Sequence, residues 1–126
     1  MKRWLSIFSI AFPLAINSCT DYQQGKSVYT ESCANCHGDK GQGLASLYPS
    51  LQKSNILSHH PDQIPCIILK GIKRDSIQHL SLEMPPHPDI KEVDMTNLIN
   101  YLLTLTRKDA PVVTIDSVTM WMKYCK

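Results

Sequence analysis

The stretch Cys33-Ala34-Asn35-Cys36-His37-Gly38-Asp39-Lys40-Gly41-Gln42-Gly43 sets two thiols three positions apart, follows the second at once with an imidazole, and then turns glycine-rich. Three chemistries use such a run: covalent haem attachment, a zinc half-site and a thiol–disulfide redox pair. Covalent attachment needs the thiols to add to two vinyl groups on one porphyrin edge, with the next residue carried beneath the plane toward iron. Shuffling five Cys and five His through 126 residues would yield on the order of 0.01 such patterns, so chance does not account for it. Zinc requires two further ligands at compatible spacing, but His59 and His60 are adjacent and face apart, and Cys66 has no neighbouring thiol. A thioredoxin-like dithiol belongs at a strand-to-helix junction of a βαβ unit, and the chain shows helical patterns without a convincing sheet. Haem is the reading retained.

A haem iron held by His37 needs a sixth ligand on a stiff segment. Met84-Pro85-Pro86-His87-Pro88 is the stiffest in the chain, because three prolines fix their own φ and push their predecessors out of the helical region. The Met84 thioether is a neutral, soft donor that favours ferrous over ferric iron and raises the potential. Its rivals are His87, His79, Met95 and an open position.

Around these points the chain reads as all-α. Asp21, with Gln24 three residues later, caps a first helix running through Gly25, Val28 and Tyr29 to about Ser32. Residues 38–58 read as irregular chain. Asp62 is the expected N-cap of a second helix, with Pro65 in the first turn, Ile64, Ile67 and Ile68 as its buried stripe, and Gly71 as its stop. Met95, Leu98, Ile99, Leu102 and Leu105 recur at helical spacing. Asp89, Glu92 and Asp94 favour the N-terminus of that helix, although Lys91 stands where a capping side chain is usual. Val118, Met120, Trp121, Met122 and Tyr124 suit one more short helix ending at Cys125. Pro111 to Ile115 is the only strand candidate, and it lacks a partner.

Lys2 and Arg3 precede an apolar run from Trp4 to Ile16 interrupted only by Ser6, Ser9 and Pro13, the pattern of an export signal too short to span a bilayer. Ile16-Asn17-Ser18-Cys19 resembles a bacterial lipobox, which implies cleavage before Cys19 and acylation of its thiol. Several acyl chains anchor stably where one does not. Losing residues 1–18 turns a formal charge of +2 into eleven basic against eleven acidic side chains, which gives no basic excess to suggest nucleic acid. Once Cys19, Cys33 and Cys36 are assigned, Cys66 and Cys125 remain, either as a disulfide or as two inert buried thiols.

Gly25-Lys26-Ser27-Val28-Tyr29, Cys33 to Gly38, Met84-Pro85 and Asn97-Leu98-Ile99-Asn100-Tyr101-Leu102 together resemble the first helix, haem motif, distal loop and last helix of the class I c-type cytochromes. The likeness covers about residues 22–106. It implies a cytochrome c fold of three to four short helices around one covalently attached haem c, with Gly25 permitting close crossing of the first and last helices. It further implies that the Pro49 carbonyl accepts the Nδ1–H of His37, fixing the tautomer. Tyr48 and Arg74 are candidate haem contacts. The Pro65-Cys66-Ile67-Ile68-Leu69-Lys70-Gly71 segment with a terminal Cys resembles a subgroup of small exported bacterial cytochromes, and on that likeness Cys66 and Cys125 form a disulfide.

The expected organisation is a signal peptide over 1–18, a tether over 19–24, the haem domain over 25–106 and a packed C-terminal extension over 107–126. The expected function is one-electron transfer between periplasmic or membrane redox proteins, with the electron leaving by the edge near Cys33 and Cys36. The protein would be exported, tethered to a membrane through Cys19, and either a monomer or a subunit of an oxidase or dehydrogenase complex. A five-coordinate haem acting as a peroxidase or gas binder is the competing class.

Overall fold

Gly25 lies where two helices cross closely. A Cβ there would overlap the Asn97 carbonyl and stand 2.8 Å from the Tyr101 Cβ, so only glycine lets the backbones meet. The computed structural model describes residues 22–73 and 83–125. Expectations for residues 1–21, Cys19 and the Asp21 cap among them, and for Arg74 and His79, lie outside these.

The described elements are α1 (Gln23–Ser32), α2 (Ala34–His37), α3 (Asn55–His59), a 3₁₀ turn (Pro61–Gln63), α4 (Ile64–Lys70), α5 (Glu92–Thr106) and α6 (Ile115–Lys123). The fold is all-α: α6 is the short helix expected in the C-terminal extension, and five described α-helices precede it where three or four were expected. Among the described residues extended pairing is limited to two isolated bridges, Leu44 with Tyr48 and Ile72 with Met84. Helix α1 begins at Gln23, inside the segment read as a tether. Its boundary residue, Tyr22, makes no capping bond through its side chain. The Gln24 side-chain Oε1 accepts from Asn97 Nδ2 at 3.0 Å across the crossing.

Helices α1 and α5 form the frame. The Tyr29 and Tyr101 rings meet with centroids 5.3 Å apart at 52°, and Tyr29, Met95, Leu98, Ile99 and Val118 have no exposed surface. Five such side chains, at about 1.5–3 kcal/mol each for burial, supply much of the folding drive. Acidic Glu92 and Asp94 sit in the first turn of α5, and Lys91 makes no cap, as its side chain offers no acceptor.

Two local readings needed correction. Helix α3 lies within the stretch expected to be irregular; Ser54 Oγ accepts from the Leu57 N–H at 3.3 Å and caps it. Asp62 is not a helix cap but part of the 3₁₀ turn, and Pro65 follows in the first turn of α4. Ile64, Pro65 and Ile68 are buried on α4, whereas Ile67 is half-buried and faces the cavity described below.

The extension begins without a strand. Val113 would need a partner on both its N–H and its carbonyl, and the buried Asn100 side chain satisfies both, at 2.8 and 2.9 Å. Thr114 Oγ1 then accepts from the Ser117 N–H and caps α6. Helix α6 packs on α5, α4 and the 3₁₀ turn, and Cys125 is disulfide-bonded to Cys66 with the Cα atoms 5.0 Å apart.

Candidate functional site

A cavity of about 360 Å³ opens between the α1–α2 corner, α3, α4 and α5, within the range of small-molecule and cofactor sites. Cys33, Cys36, His37, Tyr48, Pro49 and Met84 line it, and Leu57, Ile64, Ile68 and Leu102 form its apolar wall.

The near side is built locally. Cys33 breaks the helix after Ser32, and its carbonyl accepts from the His37 N–H at 2.9 Å, closing the short turn of α2. This turn sets both sulfurs and the imidazole at one rim. The loop then folds back: the His37 carbonyl accepts from Gly43 N–H at 2.7 Å, and the Gly41 carbonyl accepts from Leu51 N–H at 2.8 Å. The Tyr29 hydroxyl donates to the Gly38 carbonyl, and Gln52 Nε2 donates to Lys40 O at 2.8 Å. These bonds deliver the Pro49 carbonyl to His37 Nδ1 at 3.2 Å. A carbonyl can only accept, so Nδ1 carries the proton and Nε2 keeps a free lone pair. Burial also lowers the His37 pKa, partly offset by that hydrogen bond, so the ring stays neutral and ready to ligate.

The far side depends on α4. Ile72 and Met84 exchange both backbone hydrogen bonds at 2.9 Å, and the His87 N–H donates to the Ile68 carbonyl at 2.9 Å. Gly71 makes the turn into this bridge at φ +69°, and a Cβ there would collide with the Met84 carbonyl and lie 2.8 Å from Pro86 N. Of the rival ligands, His87 also lines the cavity. Met95 does not; it is fully buried in the α5 core.

The thiols do not suit a redox dithiol. Such a pair needs a depressed pKa on its attacking thiol, whereas burial, and then repulsion from Cys36, pushes Cys33 up to about 11. Hydrogen bonding to Cys36 likewise raises the Tyr48 phenol, which puts that hydroxyl beside the second thiol. Nor does any group of three or more His, Cys, Asp or Glu among the described residues suit a metal ion. Two thiols at one rim, a neutral imidazole beside them and an apolar cavity behind fit a covalently held porphyrin.

Ile64, Ile68 and Leu102 were expected on helix stripes, but sequence reading missed Leu57 on the unforeseen α3 and Ser54 beside it. The one local signal was Ser54 three residues before Leu57, an N-cap spacing. Asn100 was read only as part of a helix, and nothing in its spacing marks the Val113 pairing.

No helix among the described residues is long and apolar enough to cross a membrane. No curated protein sequence matches the chain. The family model for cytochrome c, however, matches residues 22–106, which include every residue lining the cavity. The chain therefore belongs to the cytochrome c family, haem-binding electron carriers in which haem c is held covalently.

Proposed function

We propose that the protein carries single electrons, with His37 and Met84 as the axial ligands of one haem c attached through Cys33 and Cys36. The observation that carries this reading is the shared cavity: two sulfurs, an imidazole with a carbonyl on its Nδ1, and a thioether from a separate, bridged segment all line it. The haem supplies a metal centre that gains or loses one electron. Everything else is done by the chain. Cys33 and Cys36 fix the porphyrin edge. Pro49 orients His37 and strengthens Nε2 as a donor, and Met84 offers a soft, neutral sulfur that favours the reduced metal. Leu57, Ile64, Ile68 and Leu102 exclude water.

With His37 and Met84 both holding the iron, no position would remain for peroxide or a gas, which favours carriage over catalysis. Cys33 is buried and Cys36 half-buried, so the electron leaves by the Cys36 side rather than by both thioethers equally. The partners are redox proteins outside the cytoplasm, reached from a membrane tether if Cys19 is acylated. A subunit role within an oxidase or dehydrogenase is the alternative assembly.

The deciding experiment uses the matured holoprotein and a Met84→Ala variant. The wild type should show the weak red-edge charge-transfer band of thioether-ligated ferric haem and no response of the ferrous form to CO. Met84→Ala should lose the band and bind CO. A wild type that is already high-spin and CO-sensitive overturns the carrier reading in favour of catalysis. The intact mass of the same material reports haem, cleavage before Cys19 and acylation.

A further inference from the structure

Met84 is held through its backbone and by packing of its partly buried side chain on the core. Its backbone is paired on both sides with Ile72, two residues beyond the end of α4, and His87 N–H reaches Ile68 inside α4. The thioether is therefore aimed by wherever α4 lies. Helix α4 is seven residues long, far too short to be stable through its own hydrogen bonds. Its Ile64, Ile67 and Ile68 face the cavity, and Cys66 carries the bond to Cys125 at the end of α6.

The extension is fastened along its length. Asn100 holds Val113 by two hydrogen bonds at the start, fully buried Val118 seats the middle, and Cys125 closes the end onto Cys66. Since α6 packs on both α5 and α4, it ties the short helix to the long one.

We propose that the C-terminal strap, residues 107–125, positions the axial thioether: through α6 and the Cys66–Cys125 bond it fixes α4, and α4 fixes the backbone of Met84. This rests on Met84 being the iron ligand. Cys66, Cys125 and Asn100 are positioning residues, since none of them lines the cavity. With the strap loosened, α4 moves with the Met84 segment, and the sulfur spends more time off its position. His37, held by its own loop, is unaffected.

Exogenous imidazole competes with Met84 at ferric iron, and its apparent affinity scales with the fraction of molecules in which that position is open. The test titrates imidazole into ferric holoprotein of the wild type, the Cys66→Ser/Cys125→Ser double variant, Met84→Ala and Asn97→Ala. Roughly tenfold tighter imidazole binding is expected for the double serine variant, with Met84→Ala tighter still and Asn97→Ala, which loses the hydrogen bond to Gln24 at the α1–α5 crossing, at the wild-type value. Cys125→Ser alone, kept under reductant, repeats the measurement should the double variant not fold, and is expected to shift in the same direction.

Wild-type affinity in the serine variants, with Met84→Ala much tighter, overturns the positioning role and leaves the ligation intact. An equal tightening in Asn97→Ala shows general softening and also overturns it. Unchanged affinity in Met84→Ala overturns the ligation itself, and the strap's role falls with it.

Discussion

His37 and Met84 line the same cavity but are held by different kinds of structure. Between Tyr29 and Gln52 the near side closes on itself through hydrogen bonds that each span at most twelve residues of chain, ending in the Pro49 carbonyl on His37. Met84 is held by Ile72 and by α4, which is in turn held by α6 more than fifty residues further on. On the proposed ligation, one ligand is set by its own local loop and the other by packing from far along the chain.

The largest effect should come from removing the attachment itself. In a Cys33→Ser/Cys36→Ser variant all pigment should wash out in acidified organic solvent, whereas wild-type pigment stays with the polypeptide; haem staining after denaturing electrophoresis reads the difference. Next comes Gly71→Val, which puts a β-branched side chain at φ +69° against the Met84 carbonyl. Strain and collision together should cost on the order of 3 kcal/mol and, on the proposed ligation, abolish the thioether band while His37 remains bound. Thermal melts and ferric spectra of the same sample separate the two losses.

Tyr29→Phe probes the near side more gently. Removing the hydroxyl that serves the Gly38 carbonyl should cost about 1 kcal/mol at neutral pH, because Gly38 O also accepts from Gly41 N–H. Burial, the largest cause, raises the Tyr29 phenol from 10.0 to about 12. A raised pKa means that the folded state favours the neutral ring. Its contribution is complete below pH 10 and is lost as pH climbs toward 12. Denaturant unfolding across that window should show a shallower alkaline decline in the Phe variant than in the wild type. Ser54→Ala, which removes the cap of α3, should be the mildest change, about 1 kcal/mol or less, with no change in the ferric spectrum.

The same contrast explains what the sequence discloses. The near side was legible because its chemistry is contiguous: Cys33, Cys36 and His37 announce haem by spacing alone, and the α5 stripe from Met95 to Leu102 follows a simple helical period. Met84 was legible only as a methionine before prolines; its bridge to Ile72 depends on Gly71 and on where α4 comes to rest. Helix α3 escaped because five residues are too few to show a period, and Asp62 misled because an acidic residue suits a 3₁₀ turn as well as a cap. The Val113 segment looked like a strand without a partner, since β-branched residues favour extended backbone wherever something completes their hydrogen bonds.

That something is Asn100, and its amide has a consequence of its own. Presenting one donor and one acceptor in a single plane, it does for one residue what a neighbouring strand does for many, so a helical protein can dock an extended peptide without building a sheet. Aspartate at this place would keep the acceptor but set a second oxygen against the Val113 carbonyl, and leucine would strand both backbone groups. Even the near-isosteres of asparagine are therefore poor replacements, and the junction of the strap with the haem domain hangs on the orientation of one carboxamide.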